Sequence, residues 1–234
     1  VIPHITDEIK SRIYDVSQDA DIIIVEIGGT IGDIEGLPFI EAIRQMRVDI
    51  GLENTLFIHV TYIPYIKAAG ELKSKPTQHS VKELRAIGIQ PDFLICRSEK
   101  PIELEMKSKI GLFCSVRPEN VIAAYDAPTI YELPLMLHEE RFDEKVVKLL
   151  KLKESEPQLK PWEKLVNVIK NPKKSVTIGI VGKYVDLTES YKSLSEAISH
   201  GGASQDCKVN IEHVNADALT GKNASSKLSG LDGI

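Results

Sequence analysis

Short apolar runs that alternate with segments of helical period constrain this chain more than any other feature. The runs that we interpret as strands are residues 22–26, 56–61, 93–96, 121–125, 176–181 and 209–214. Continuous apolar runs of this length are typical of strands that are buried on both faces of a parallel sheet. Helices between the strands would cover those faces, so the pattern predicts an α/β fold.

The segments between these runs carry helix signals. Pro38 suits the first turn of a helix, and apolar residues recur at helical spacing after it. Residues 77–86 predict a second helix. Asp186 is a candidate N-cap for a later helix that the glycine pair at Gly201 would end. Thr6 is a candidate N-cap for a helix near the start of the chain.

Composition excludes several classes of function. The net charge of the 234 residues is -5, so the chain lacks the overall basic field that attracts nucleic acid. No run approaches the ~18 apolar residues of a membrane-spanning helix. The three cysteines are too sparse for a disulfide framework and favour a reducing, cytoplasmic location. The chain starts at Val1 without a methionine, and we expect both of its ends to be cuts within a longer protein.

A shift in composition divides the chain. Residues 152–175 are rich in lysine, glutamate and proline, and they include one amphipathic piece at 162–169. We interpret this stretch as a linker that carries a short helix. A second unit would then begin with the apolar run at Val176.

The stretch VEIGGTIGDIEG at residues 25–36 places Glu26 at the end of the first predicted strand. Ligands of open α/β sheets bind beyond the carboxyl ends of the strands, where a carboxylate can hold Mg²⁺. Gly28, Gly29 and Gly32 permit positive φ angles and the close approach of a ligand. Alternatively, Glu26 is a strand-end acid in a solvated turn or the cap of the next helix. No GK[ST] phosphate loop follows it.

A basic loop precedes the helix predicted at 77–86. Lys73 and Lys75 flank its start, and Pro76 lies beside them. Free N–H groups and the positive end of the helix dipole, together with two lysines, are typical of an anion site. The alternative is a lysine-rich turn in solvent with an ordinary cap.

Taken together, these stretches resemble the CTP synthase family. The matching strings are VIPHITDEIK, VEIGGTIGDIEGLPFIEAIRQ, GELKSKPTQHSVKELRAIGIQPDFLICRS, KIGLFC and VTIGIVGKYVDLTESYKSLSEAISHGG. They extend over essentially the whole chain. The resemblance implies ATP-dependent amination of UTP to CTP through a 4-phosphorylated UTP. The ammonia would come from glutamine, hydrolysed by a second, class I amidotransferase domain.

The resemblance also implies a domain plan. Residues 1–152 would form a partial, P-loop-type, doubly wound and mostly parallel sheet, the synthetase domain without its N-terminal P-loop part. Residues 153–175 would be the interdomain linker. Residues 176–234 would begin a flavodoxin-like α/β amidotransferase domain.

Several residues receive roles only through the resemblance. Those assigned to UTP and CTP are Lys73, Ser74, Lys75, Pro76, Thr77, Gln78 and Lys109. Those assigned to the cytidine part of the inhibitor CTP are Asp33, Ile34 and Glu35. Those assigned to the adenine of ATP are Tyr125, Asp126 and Ala127, of which only Asp126 matches by identity. Glu26 is assigned to Mg²⁺, with its partner acid upstream of Val1, and His4 to the vicinity of the synthetase active site.

Taken without the resemblance, these residues have plainer explanations. Lys109 would be a solvated lysine on a helix, Asp126 a turn former, and His4 a histidine of a cap region or of packing. None of the three cysteines is predicted as the glutaminase nucleophile. Because these 234 residues also lack the P-loop and the second Mg²⁺ carboxylate that the family needs for phosphoryl transfer, we expect the isolated chain to be inactive. The alternative function is a truncated, non-catalytic module that binds a pyrimidine nucleotide. A different P-loop synthetase, amide-forming or partitioning, is a further alternative.

The family also implies partners. It implies the ligands UTP, CTP, ATP and glutamine, with GTP as an activator. It implies a homotetramer in the cytoplasm, and no binding to nucleic acid or membranes.

Overall fold

The computed structural model describes residues 2–234, apart from the side chain of residue 188, and divides the chain into two units. The first unit is the chain up to Ala127 with Leu133–Glu156, and the second is Pro128–Glu132 with Pro157–Ile234. The helices are α1 (Ile2–Asp15), α2 (Leu37–Ile50), α3 (Lys75–Ala86), α4 (Leu104–Cys114), α5 (Leu133–Glu139), α6 (Phe142–Leu149), α7 (Lys160–Lys170), α8 (Lys192–Ser204) and α9 (Ala224–Lys227). The strands are β1 (Ile58–Ile63), β2 (Tyr65–Ile66), β3 (Glu71–Leu72), β4 (Phe93–Ser98), β5 (Val121–Tyr125), β6 (Lys174–Gly182) and β7 (Cys207–Asn215).

The first unit is built on a parallel sheet with the order β1-β4-β5. Leu94 of β4 and Val121 of β5 point into a core that α3 and α4 cover. On the opposite face, Phe93 packs edge-on against Phe142 of α6, with ring centroids 5.2 Å apart. Helices therefore cover both faces of the central strand, which confirms the predicted α/β class.

The second unit has a parallel pair, β6 and β7, in register from Lys174↔Cys207 to Gly182↔Asn215. Gly233 makes an isolated parallel bridge to Ile178, so this residue also pairs with the sheet. This arrangement confirms parallel α/β structure in the second unit as well.

The helix after β6 differs from the prediction. Asp186 does not cap it, because α8 starts at Lys192 after a 3-10 turn. The helix also continues through Gly201 and Gly202 to Ser204. A Cβ at Gly202 would lie 2.4 Å from Cγ2 of Val209, so this glycine lets α8 approach β7 closely and does not end the helix.

The strand predicted at 22–26 is wrong. The backbone there is irregular and joins no sheet within residues 2–234, and Ile24 is 90% exposed. An interior strand of a parallel sheet needs neighbours that bind its N–H and C=O groups on both sides. The apolar run therefore has the composition of a strand, but no neighbouring strand among residues 2–234 forms backbone hydrogen bonds with it. The run predicted at 56–61 does form a strand, at Ile58–Ile63.

The start of α1 also differs from the prediction. Thr6 is a buried residue inside the helix, and its hydroxyl donates back to the carbonyls of Ile2 and Pro3 at 3.3 and 3.2 Å. It is therefore not the N-cap. His4, predicted to precede the helix, lies in its first turn and is exposed.

Two ion pairs stabilise the region around α2. Arg47 donates to Asp92 at 3.0 Å, and the other oxygen of Asp92 accepts from the N–H of Phe57 at 2.8 Å. Within α2, Arg44 donates to both oxygens of Glu41, at 2.8 and 2.7 Å. Hydrogen bonds from Arg44, and then from a neighbouring glutamine, lower the pKa of Glu41 to about 2.

The three cysteines are free thiols. Burial raises the pKa of Cys96 to about 12 and that of Cys114 to about 11, so both thiols are protonated and unreactive at neutral pH. No helix in the described part of the chain combines the length and apolar character that crossing a membrane requires.

Candidate functional site

Three of the predicted ligand carboxylates border one pocket of about 300 Å³. They are Glu26, Asp33 and Glu35, and all three are exposed. The pocket is lined by Glu26, Ile27, Gly28, Gly29, Thr30, Asp33, Glu35, Gly36 and Phe39. Ile34 lies in the same turn with 82% of its side chain exposed. A polar ligand with an apolar ring could therefore meet both acids and hydrocarbon here.

Two of the three glycines predicted to have positive φ angles do have them, while Gly28 does not. Gly29 and Gly32 have φ angles of +87° and +104°, which side chains other than glycine rarely adopt. The resulting turn is closed by Asp33, whose carboxylate accepts from the N–H of Thr30 at 3.1 Å. Asp33 therefore supports the turn with one oxygen and has a second oxygen for other partners.

The pocket acids can be tested as ligands of a divalent cation. Among residues 2–234, no three metal-ligating side chains lie close enough together to hold an ion by themselves. Mg²⁺, however, usually takes one or two carboxylates and completes its shell with water and phosphate oxygens. Glu26, an exposed carboxylate beside an open pocket, fits the role of a single ligand.

The basic loop lies where a helix begins, as the sequence predicted. Helix α3 begins at Lys75, with Pro76 in its first turn, and the side chain of Ser74 makes no capping hydrogen bond. Lys73 and Lys75 are exposed. Positive charge and the helix N-terminus therefore occur together at this point.

Two side chains of this loop are engaged within the fold. Thr77 is fully buried: its hydroxyl accepts from Thr61 at 3.0 Å and donates to the carbonyl of Tyr62 at 3.3 Å. Ser74 is also buried, and it accepts from the amide of Gln78 at 3.0 Å. Thr77 and Ser74 thus fasten the loop to β1 and to α3, while the lysines remain available.

Lys109 acts electrostatically on the same loop. Lys73 forms an ion pair with Glu71, and this hydrogen bond is the main cause of the lowered pKa of Glu71. The charge of Lys109 on α4 lowers that pKa further. Glu71 is thus paired with Lys73, and Lys109 acts on the same carboxylate only through its charge. Glu71 was missed from the sequence, because a lysine–glutamate pair on a surface is common and no local pattern marks it.

The predicted adenine segment follows the end of β5. The N–H of Asp126 donates to the carbonyl of Ser98 at 2.9 Å, which ties this segment to β4. The guanidinium of Arg97 lies 3.9 Å from the Asp126 carboxylate. Arg97 was missed from the sequence. Its position opposite Ala124, near the ends of β4 and β5, depends on the register of the two strands.

The structure does not bring all predicted residues together. Every residue that lines the Glu26 pocket comes from 26–39, so neither the lysine loop nor Asp126 borders it. His4 lies on α1 and is not a lining residue either.

A parallel α/β sheet with a basic helix start and a carboxylate pocket defines this chain as an α/β protein with candidate nucleotide- and cation-binding features. Residues 1–152 match a family model described as "CTP synthase N-terminus". Over 234 residues the chain is 61% identical to the CTP synthase of Bdellovibrio bacteriovorus, covering 100% of the chain and 44% of that protein. It is 57% identical to that of Desulfotalea psychrophila, covering 100% of the chain and 42% of that protein. The chain belongs to the CTP synthase family, and it spans less than half the length of these relatives.

Proposed function

We propose that this chain is the central part of a glutamine-dependent CTP synthase, a ligase that uses ATP to aminate UTP to CTP. Similarity along the whole chain to relatives of that name supports the proposal. The observation that carries it within the structure is the lysine cluster: exposed Lys73 and Lys75 at the start of α3, together with exposed Lys109 on α4. We assign the P-loop, the second Mg²⁺ carboxylate and the glutaminase nucleophile to parts of the protein outside these residues.

In this proposal, the lysine cluster holds the triphosphate of UTP, and of CTP as inhibitor. Lys73, Lys75 and Lys109 supply positive charge, and the first N–H groups of α3 donate to phosphate oxygens. Lys73 is paired with Glu71, and its ammonium group has further N–H donors that can bind a phosphate oxygen. The cytidine of CTP would bind at Asp33, Ile34 and Glu35. Its base can lie against Ile34, while the two carboxylates accept hydrogen bonds from its amino or hydroxyl groups.

Asp126 and its neighbours would read the adenine of ATP. The hydrogen bond between Asp126 and Ser98 fixes the backbone of this segment before the ligand arrives. Preorganised polar groups discriminate a base edge at lower entropic cost than a mobile loop does. Arg97 stands beside this segment and offers a flat cation to the base or a charge to the phosphates.

Glu26 would hold Mg²⁺ together with nucleotide phosphates. Such an ion neutralises the charge that develops during phosphoryl transfer. The family further suggests residues 176–234 as the start of an amidotransferase domain, residues 153–175 as the linker, GTP as an activator and a homotetramer. We propose a cytoplasmic location, which the three free thiols support.

The lysine cluster provides the experiment. In the full-length protein, Lys73→Ala with Lys75→Ala should weaken UTP binding by roughly 10²–10⁴-fold, since two charge-assisted contacts of about 1.5–3 kcal/mol each are lost. Calorimetric titration with UTP measures this loss. Lys67→Ala with Lys82→Ala is the matched control, because it removes the same charge from exposed positions away from the start of α3. Equal UTP affinity in the two double variants would refute the assignment.

A further inference from the structure

Four polar or charged side chains lie at the carboxyl ends of the parallel strands β1, β4 and β5. The strand register places Tyr62 of β1 opposite Arg97 of β4, and Arg97 opposite Ala124 of β5. Glu99 directly follows β4, and Asp126 directly follows β5. Ligands of open α/β sheets bind beyond this edge, so the four side chains border the place where a ligand of the first unit is expected.

These side chains also contact one another. The hydroxyl of Tyr62 donates to Oε1 of Glu99 at 3.2 Å, and the guanidinium of Arg97 lies 3.9 Å from the carboxylate of Asp126. Partial desolvation, and then the charge of Glu99, raise the pKa of Tyr62, while Asp126 raises it further and Arg97 lowers it. The Tyr62 hydroxyl is therefore close to all three charged groups, and it remains a protonated donor at neutral pH.

Ser98, the last residue of β4, fixes the backbone that carries Glu99. Ser98 is fully buried, and its hydroxyl donates to the carbonyl of Lys100 at 2.6 Å. Its own carbonyl accepts from the N–H of Asp126 at 2.9 Å. One buried residue therefore ties the turn at Glu99 to residues 125–127, and all of these residues belong to the first unit.

The carboxylate of Glu99 has acceptor capacity left for a ligand. The bond from Tyr62 uses Oε1, whereas a carboxylate accepts several hydrogen bonds through its two oxygens. Glu99 is exposed, so a ligand can reach it. Ribose hydroxyls are suitable donors, and dinucleotide-binding α/β folds bind them with a carboxylate at this edge of the sheet.

We propose that Glu99 binds the ribose of ATP by accepting a hydrogen bond from one of its two hydroxyls, with Tyr62 orienting the carboxylate. This inference rests on the proposed function, because it takes residues 125–127 as the adenine site. The ribose is joined directly to the adenine, so a base held at Asp126 brings the sugar to the neighbouring end of β4. Without the carboxylate of Glu99, the site should no longer distinguish ribose from a sugar that lacks both hydroxyls.

The test compares two ATP analogues in the full-length protein by calorimetric titration: AMP-PNP, which resists hydrolysis, and its dideoxy form, which lacks both ribose hydroxyls. The wild-type protein should bind AMP-PNP roughly 10-fold more tightly. This is the lower end of the range for a hydrogen bond to a charged group, because Glu99 is exposed. Glu99→Ala should weaken AMP-PNP binding by that factor and leave the affinity for the dideoxy form unchanged. Glu99→Gln, which keeps one carbonyl acceptor, should retain part of the difference.

Glu119→Ala is the matched control. Glu119 is an exposed glutamate in the turn that precedes β5, at the opposite end of the sheet, so its replacement removes the same charge without reaching the ribose. Its affinities for both ATP analogues should equal those of the wild-type protein. UTP affinity should stay within twofold of wild type in all three variants.

Two results would overturn the inference while leaving the proposed function intact. One is equal weakening of AMP-PNP and its dideoxy form in Glu99→Ala, because this indicates an effect on charge or folding and not on the ribose. The other is a wild-type protein that binds AMP-PNP and the dideoxy form equally well. A loss of UTP affinity as large as that of AMP-PNP would also overturn the inference. Failure of the wild-type protein to bind AMP-PNP or UTP at all would refute the proposed function itself.

Discussion

Replacing Thr77 with valine tests whether this residue acts through the fold or through the ligand. Its side chain is fully buried, and its hydroxyl joins Thr61 to the carbonyl of Tyr62 with bonds of 3.0 and 3.3 Å. Valine keeps the branched shape but leaves Thr61 and that carbonyl without this partner. An unsatisfied buried polar group costs about 1–3 kcal/mol, so Thr77→Val should lower the free energy of unfolding by that amount.

The assay is urea denaturation of the full-length protein, together with titration by UTP. If Thr77 acts through the fold, stability falls as calculated while UTP affinity changes by less than about threefold at 25 °C, since the lysines still carry the charge. The double variant Thr61→Val with Thr77→Val should cost less than the sum of the single ones, because it removes both partners of one bond. A loss of UTP affinity above tenfold at unchanged stability would refute the reasoning and place the hydroxyl on the ligand.

Three further properties follow from the packing and charge of the two units. Cys96 and Cys114 should resist alkylation at pH 8 until urea unfolds the protein, because burial raises their pKa values to about 12 and about 11; fast labelling of either in native protein would contradict this. Glu41, whose folded pKa lies at about 2 instead of 4.5, should contribute stability above pH 4.5 that is lost as the pH falls towards 2. The contribution should be about 1 kcal/mol after allowance for solvent screening, and Glu41→Gln should flatten the stability profile in that range. Gly111→Ala should destabilise by about 1–3 kcal/mol, since its Cβ would lie 2.6 Å from the carbonyl oxygen of Val116, whereas Gly201→Ala, with open space around it, should stabilise α8 slightly in the same denaturation assay.

The candidate site was predictable where its signals are local. The start of α3, with Pro76 and two lysines, is recorded in consecutive residues, and so are the glycines that give the turn before Asp33 its positive φ angles. The influence of Lys109 on Glu71 was not predictable, because it depends on where the folded chain places α4. Likewise, the full burial of Thr77 was not predictable, because threonine is mostly exposed in proteins and only the packing of α3 against β1 covers it here.

The sequence by itself determined the α/β class and most of the strands. The runs at 93–96, 121–125, 176–181 and 209–214 all lie within observed strands. The first two are apolar without interruption because β4 and β5 are largely buried on both faces, whereas β7 alternates half-buried and exposed residues. Tertiary structure decided the rest. The run at 22–26 is as apolar as the others but is no strand, since a sheet needs hydrogen-bonding neighbours that composition does not record. Gly202 does not end α8, because β7 packs against it, and only the folded chain brings those two elements together.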